Sequence, residues 1–158
     1  MITLTNRKSG GISDLVTAPV DVVAYAENLG LKVWEQTLRD GISGEIRRDA
    51  KHGGTAGYSI LVNARDSRTR KRFTVAHEIA HYLLHRDQIG DGLSDNSLYR
   101  SGLTTLAEVQ ANKKAAEILM PIKLIEKEIK AGAITIPHLA QRFDVSEQAM
   151  SIRLGVPS

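Results

Sequence analysis

The chain has 158 residues, a length that suits one domain with a real hydrophobic core. It contains no cysteine, which excludes disulfide frameworks and thiolate zinc fingers, so any zinc must be held by histidine and carboxylate side chains. The 21 Lys and Arg against 18 Asp and Glu give a net charge of +3, too small for the chain as a whole to bind nucleic acid electrostatically.

The sequence shows neither a signal peptide nor a membrane span. Its N-terminus lacks a basic stretch followed by an apolar one. No run approaches the roughly 18 apolar residues that a transmembrane helix needs. A cytoplasmic protein without a membrane partner is therefore the expectation.

The first part of the chain predicts an irregular segment followed by a helix. Residues 1–17 contain two adjacent glycines and little periodicity. Residues 18–30 fit a helix with Pro19 in the first turn and Gly30 as its C-terminal stop.

After residue 30 the spacing of apolar residues changes from the helical period to the alternation typical of short strands. The strand-like runs lie at residues 33–38, 43–48 and 57–62. Turns that contain glycine separate them, which is typical of hairpins and predicts a small, mostly antiparallel sheet. Trp34 is expected in the sheet core, and His52, in a glycine-rich turn, on the surface.

A dense basic run leads into the next helix. Its cations are Arg65, Arg68, Arg70, Lys71 and Arg72. Positive charge at a helix N-terminus is unfavourable, so the run calls for a reason. It can recognise acidic substrate or nucleic acid, but a solvated linker is the favoured interpretation. Asp66 or Ser67 is the expected N-cap.

The most specific motif of the chain is His77-Glu78-x-x-His81. Residues four apart lie on the same helix face, so the two imidazoles can bind one zinc ion. Glu78 lies about 100° further round, where it can reach a water without binding the metal. An apolar stripe should bury the motif; it comprises Phe73, Ala76, Ala80, Leu83 and Leu84. The plain alternative is an amphipathic helix whose histidines only bond to core groups.

A polar segment follows at residues 87–102 and predicts a loop between two helices. Such loops often shape a site, and this one contains Tyr99 and Arg100. Both are candidates for contacting substrate, although nothing raises them above ordinary surface residues.

A catalytic zinc site normally has three protein ligands, so a third should come from downstream. The next predicted helix, residues 105–120, contains Glu108 and Glu117. At 100° per residue, Glu108 and Asn112 fall within an apolar arc that includes Val109, while Glu117 lies opposite. Glu108 is therefore the predicted ligand.

The neighbours of this ligand have alternative roles. Asn112 is predicted to orient a histidine or Glu108 itself. Thr105 and Glu108 also fit a capping box, in which the carboxylate bonds the backbone and does no chemistry. His85 continues the spacing of four beyond His81, but on a straight helix it moves away from the ion, so a structural role is favoured.

The C-terminal part predicts two short helices within residues 134–154. Thr135 caps the first, Pro137 lies in its first turn, and Ser146 caps the second. The pattern is also that of a helix-turn-helix with residues 146–154 as recognition helix. Arg153 is the only cation of that helix, so a module that docks on the catalytic part or on a partner is favoured over DNA binding through 135–154.

The chain resembles the ImmA/IrrE family of bacterial and phage zinc metallopeptidases. The resemblance lies in residues 72–85, in Glu108-x-x-Ala111-Asn112 up to Pro121, and in residues 139–149. These three blocks occur in the family's order and span residue 60 to the C-terminus. Two positions depart from the family pattern: Gln110 replaces a frequent acidic residue and Lys113 a frequent phenylalanine.

The resemblance implies an α+β, zincin-like fold with zinc held by His77, His81 and Glu108 and with Glu78 as catalytic base. It implies a peptidase domain at residues 1–130 and a helical module at 131–158. It also implies cleavage of a helix-turn-helix repressor that switches on mobile-element or stress-response genes. The alternative is a non-catalytic regulator that keeps the zinc for folding and binds a repressor or toxin partner.

Metal-assisted hydrolysis of a peptide bond is the predicted reaction, with Glu78 moving the proton. The oxyanion needs a further donor, for which Tyr82, His85 and Tyr99 are the candidates. A sheet edge beside the metal helix would let a substrate strand dock by main-chain hydrogen bonds.

Overall fold

The computed structural model describes residues 2–3, 17–90 and 105–157. In these ranges the strands are β1 (Ile2–Thr3), β2 (Leu31–Gln36), β3 (Gly44–Arg48) and β4 (Tyr58–Asn63). The helices are α1 (Val22–Asn28), α2 (Arg68–Leu84), α3 (Thr105–Leu119), α4 (Ile122–Lys130), α5 (Ile136–Phe143) and α6 (Glu147–Leu154), with a 3₁₀ turn at Arg86–Gln88. The predicted α+β class is confirmed. Most of the predicted N-terminal segment, and Tyr99 and Arg100 of the predicted loop, lie outside the described residues.

The four strands form one mixed sheet in the order β1-β2-β4-β3. β3 and β4 form the antiparallel hairpin that the turn residues predict, with Ile46 opposite Ile60. β2 and β4 are parallel, with Val33 opposite Ile60, whereas β1 and β2 are antiparallel. Two of the three pairings in the described sheet are thus antiparallel, which confirms the predicted mostly antiparallel sheet, and the central pair is the exception. The hairpin places β4, its second strand, next to β2, and β3 takes the edge of the sheet.

The hydrophobic core lies between the sheet and the helices. The strand residues that face it are at most 1% exposed: Leu31, Val33, Ile46, Ile60 and Val62. They pack against α1 and α2 in one continuous cluster. Burial of each such side chain contributes about 1.5–3 kcal/mol to folding. Trp34, predicted in the core, is only half-buried, and its indole N–H donates to the His52 carbonyl over 2.9 Å.

Gly44 at the start of β3 lets this edge strand approach α2. A Cβ atom at this position would lie 2.3 Å from Thr74 Cγ2 and 2.6 Å from the Leu61 carbonyl oxygen. Only a residue without a side chain fits this gap. The glycine therefore positions β3 beside the helix that carries the His-Glu-x-x-His motif.

The N-terminal helix begins later than the sequence pattern predicts. Asp21 is its N-cap, and the Asp21 side chain accepts from the Ala24 backbone N–H over 2.9 Å. Pro19 therefore precedes the helix instead of lying in its first turn, because the Asp21 cap sets the start. Gly30 has a φ of +84° and ends the element as predicted.

Helix α4 is missing from the sequence prediction, which places nothing regular between Pro121 and residue 134. Ile122, Ile125 and Ile129 have the spacing of a helix face, and this signal is present in the sequence. Only Ile125 is buried. None of the helices in the described part of the chain is long and apolar enough to cross a membrane.

The two C-terminal helices have the predicted caps. Thr135 Oγ1 accepts from the His138 N–H over 3.2 Å, and Ser146 Oγ from the Ala149 N–H over 3.0 Å. Between them Asp144 takes a left-handed conformation, φ 54° and ψ 50°, that asparagine and aspartate tolerate. The tight turn brings α5 and α6 together as a two-helix module.

Two arginines of the basic run, both in α2, bind this two-helix module through hydrogen bonds. Arg68 Nε donates to Asp144 Oδ2 over 2.7 Å, and Arg72 donates to the carbonyls of Asp144 and Phe143 over 3.0 and 3.3 Å. Burial lowers the pKa of Arg72, and the nearby Asp144 carboxylate partly offsets this effect. A solvated linker is therefore the wrong description of Arg72.

The rest of the basic run has separate neighbours. Lys71 pairs with Glu35 of β2, and Arg65 lies 3.5 Å from the exposed Asp40. Arg70 donates to Ser43 Oγ over 3.1 Å. The cations thus join α2 to several elements around it.

We predict that Asp144→Asn lowers the free energy of unfolding by on the order of 1–2 kcal/mol, because the partly buried Arg72 loses a charged partner. Asparagine keeps the tolerance for a left-handed backbone, so the change isolates the charge. Urea denaturation monitored by circular dichroism measures the effect. Asp40→Asn, which removes a fully exposed Arg65 partner, is the matched control and should leave the midpoint unchanged. Equal midpoints for both variants would contradict a stabilising role of the Asp144 contact with α2.

Candidate metal centre

Helix α2 carries both histidines of the motif on its buried side. Ser67 is the N-cap and accepts from the Arg70 N–H, which decides between the two predicted caps. His77 and His81 point the same way, and their Nε2 atoms lie 3.0 Å apart. His81 is fully buried, and Glu78 between them is 1% exposed.

Glu108, in the first turn of α3, lies next to both histidines. Its Oε2 lies 3.3 Å from His77 Nε2, and its Oε1 lies 3.2 Å from His81 Nε2. Glu117, the other candidate, lies beside Val20 and Tyr25 in a separate small pocket. The structure therefore brings together the three predicted ligands and separates the rejected one from them.

The spacing of these donor atoms fits a metal ion. Ligands about 2.0–2.1 Å from a tetrahedral zinc ion lie about 3.3 Å from one another. The measured separations are 3.0, 3.2 and 3.3 Å. Glu108 Oε1 is buried and has no hydrogen-bond donor among the described residues, as expected for an atom reserved for a cation. His77, His81 and Glu108 can thus hold a metal.

Small residues allow the two helices to approach this closely. The buried face of α3 consists of Ala107, Ala111, Ala115, Ile118 and Leu119. It packs against α2, where Ala76 and Ala80 are fully buried. Val109, predicted in the apolar arc, is 56% exposed. The buried face of α3 is therefore rotated about the helix axis relative to the predicted arc. The stripe predicted on α2 is also wrong at Leu84, which is 48% exposed.

The residues that contact the candidate ligands differ from those predicted. Asn112, expected to orient a ligand, is exposed and lies instead on the wall of the adjoining cleft. His85 Nδ1 lies 3.0 Å from His81 Nδ1, and His85 Nε2 lies 3.0 Å from Gln110 Oε1. Sequence reasoning missed Gln110 as a site residue because the rotated arc placed it on the far side of α3.

A cleft of about 1290 Å³ opens at the metal centre. His77, Glu78 and Glu108 line its floor. The lining also includes residues 41–45 around edge strand β3 and Gln148, Ala149, Ile152 and Arg153 of α6. The predicted recognition helix therefore lines the cleft that opens at the candidate metal centre.

Two of the predicted oxyanion donors can be placed. His85 uses both ring nitrogens in the contacts with His81 and Gln110. The Tyr82 ring packs edge-on against Tyr58 and under the Arg86 guanidinium. Neither is among the described residues that line the cleft. Tyr99, the third candidate, lies outside the described residues.

A helical His-Glu-x-x-His with a glutamate from a second helix is the ligand arrangement of a class of metallopeptidases. Residues 26–155 match the family of M78 peptidases, described as the IrrE N-terminal-like domain, and the chain belongs to this family. The predicted resemblance is thus confirmed.

Similar proteins agree with this assignment over part of their length. The chain is 40% identical over 94 residues to the radiation response metalloprotease IrrE of Deinococcus deserti, and 37% identical over 92 residues to that of Deinococcus radiodurans. These matches cover 56% and 55% of this chain and 33% and 27% of the relatives. The chain therefore matches about a third or less of each curated relative.

Among solved structures, a Mycobacterium tuberculosis transcriptional regulator has a similar fold. Its TM-score is 0.56 at 18% sequence identity. The match covers 85% of this chain and 40% of the regulator. At this identity the comparison supports the fold alone.

We predict that Glu108→Gln weakens zinc binding at least about 100-fold, because a charged ligand is lost. Competition with a chromophoric chelator measures the zinc Kd. Glu117→Gln makes the same chemical change on the same helix but away from the histidines, and it should leave the Kd unchanged. A Glu108→Gln protein that binds zinc like the wild type would exclude Glu108 from the site.

Proposed function

We propose that the chain is a zinc-dependent endopeptidase with a zincin-like catalytic centre. The observation that carries the proposal is the convergence of His77, His81 and Glu108. His77 and Glu108 also line a cleft together with Glu78. Membership of a peptidase family supports it. The two relatives named as metalloproteases support it further, although each match covers only a part of them.

In this proposal His77, His81 and Glu108 hold the ion and Glu78 is the catalytic base. A bound zinc ion supplies Lewis acidity, which polarises the scissile carbonyl and makes water a stronger acid. Glu78 is buried at the floor of the cleft, where it accepts the proton of the attacking water and passes it to the leaving amine. The nucleophile is water, so no covalent intermediate with the protein is required.

The shape of the cleft supports a polypeptide as the substrate. The cleft has a volume of about 1290 Å³ and is lined both by residues 41–45 around edge strand β3 and by α6, so it offers room and contacts for an extended segment. Apolar contacts are available on the α6 side, where Ile152 is 71% exposed. Four cations also line the cleft, namely Arg39, Arg70, Lys113 and Arg153.

We further propose that the substrate is a repressor of the helix-turn-helix type, in a cytoplasmic pathway that controls mobile-element or stress-response genes. The support is the family resemblance. The orientation of α6 favours contact with substrate over DNA binding through residues 135–154, because its cleft-facing residues include Gln148 and Arg153, the two best equipped to read DNA. In this view, the module at residues 131–158 contributes α6 to the lining of the catalytic cleft.

The second candidate function is a non-catalytic regulator that binds a partner and uses zinc for folding. The way the two C-terminal helices dock on α2 through Arg68 and Arg72 suits such a scaffold as well. Catalysis itself separates the two candidates.

We predict that Glu78→Gln retains zinc and loses about 10²–10⁴-fold in the rate of peptide cleavage, since amide cannot accept the proton. The assay incubates the protein with the repressor encoded beside its own gene and follows fragments by mass spectrometry. Zinc content of both proteins is measured in parallel. If the wild type, loaded with zinc, cleaves neither this repressor nor an unbiased peptide library faster than the variant, the regulator is the better description.

We predict that Ile152→Asp raises the KM for the protein substrate about tenfold and leaves kcat nearly unchanged, because about 1.5 kcal/mol of apolar contact is lost. Ile134→Asp is the control, since Ile134 is similarly exposed, at 76%, but is not among the cleft-lining residues. Steady-state kinetics separate the two parameters. Equal KM values for both variants would exclude α6 as a substrate wall.

A further inference from the structure

A chain of side-chain contacts leads from the candidate metal centre to the protein surface. The Nε2 atom of His81 faces Glu108, and its Nδ1 atom lies 3.0 Å from His85 Nδ1. His85 Nε2 lies 3.0 Å from Oε1 of Gln110, an exposed residue of α3. His81 and His85 are 0% and 8% exposed, so water does not hydrate their ring nitrogens and hydrogen-bond partners within the protein must satisfy them.

The close packing of α2 and α3 explains why Glu108 and Gln110 reach different histidines. At 100° per residue, Glu108 and Gln110 flank the buried stripe of Ala107 and Ala111 on opposite sides. The Glu108 side chain therefore reaches His77 and His81. The Gln110 side chain reaches His85, the C-cap residue of α2.

Two arrangements of protons satisfy these contacts, because a neutral imidazole carries one N–H. In the first, His81 Nδ1–H donates to His85 Nδ1, and His85 Nε2–H donates to the Gln110 carbonyl. In the second, the Gln110 amide N–H donates to His85 Nε2, and His85 Nδ1–H donates to His81 Nδ1. The first leaves a lone pair on His81 Nε2, whereas the second places a proton there.

Only the first arrangement allows His81 to bind a metal ion through Nε2. It is the arrangement that the structure favours, because the oxygen of the Gln110 amide is the atom that faces His85. An amide supports either arrangement, since it can donate or accept. A carboxylate can only accept, and a thioether does neither effectively.

We propose that Gln110 is a positioning residue that acts through His85 to select the metal-binding tautomer of His81, and so sets the metal affinity of this chain. This inference rests on the proposed metal site. It assigns His85 a defined role as the relay between a ligand and the surface. It also predicts an order of metal affinity for residue 110, in which glutamate exceeds glutamine and glutamine exceeds methionine.

The test measures the zinc Kd of Gln110→Met and Gln110→Glu by competition with a chromophoric chelator. Gln110→Met should bind about tenfold more weakly, at the lower end of the effect of such partners because water can replace an exposed amide. Gln110→Glu should restore binding and exceed the wild type. Gln148→Glu introduces the same charge on the cleft wall without the contact to His85, and it reports the purely coulombic gain, which Gln110→Glu should exceed.

Two further measurements separate positioning from folding. The thermal midpoints of the metal-free proteins should agree, which shows that the fold is intact. In the metal-free wild type, where residue 110 and not a bound ion selects the tautomer, long-range ¹H–¹⁵N NMR spectra should show His85 protonated at Nε2. This second measurement decides the question even if Gln110→Met fails to fold.

The proposal is overturned if Gln110→Met binds zinc as tightly as the wild type. It is also overturned if Gln110→Glu is no tighter than Gln110→Met, or if His85 carries its proton on Nδ1. Failure of the metal site is distinguishable from these results. A wild type that binds no zinc saturably would refute the site and the relay together, whereas equal affinities across the series would refute the relay alone.

Discussion

The contact between α2 and α3 determines where every proposed catalytic group lies. Alanines at the interface let the two backbones approach, which brings a carboxylate from one helix within 3.2–3.3 Å of two imidazoles on the other. At such distances the three groups attract one another only when a proton or a metal ion lies between their lone pairs. The packing energy of the core therefore maintains an arrangement that a bound ion would stabilise further.

The C-terminal module gains its position from the same helix. Arg68 and Arg72 of α2 hold the Asp144 turn, which directs α6 towards the cleft. Arg68 and Arg72 of the basic run therefore have a structural role in this docking. Helix α2 thus carries the metal motif and, near its N-terminus, binds the turn that precedes the cleft-lining α6.

The sequence predicted the parts of the site that depend on local spacing. His77, Glu78 and His81 follow from helix periodicity, and Glu108 from a count along the next helix. The prediction that Asn112 contacts a ligand failed because the exposed Val109 was taken as part of the apolar arc, although alanines form the true buried face. The parallel pairing of β2 with β4 could not be predicted, since it depends on a contact between strands separated along the chain by a third strand.

The most direct test of the account is the position of the zinc ion in a crystal of the protein incubated with zinc, located by anomalous scattering at the zinc absorption edge. We predict one strong peak about 2.0–2.2 Å from His77 Nε2, His81 Nε2 and a Glu108 oxygen. A fully occupied ion that is held elsewhere, with these three side chains free of metal, would contradict it.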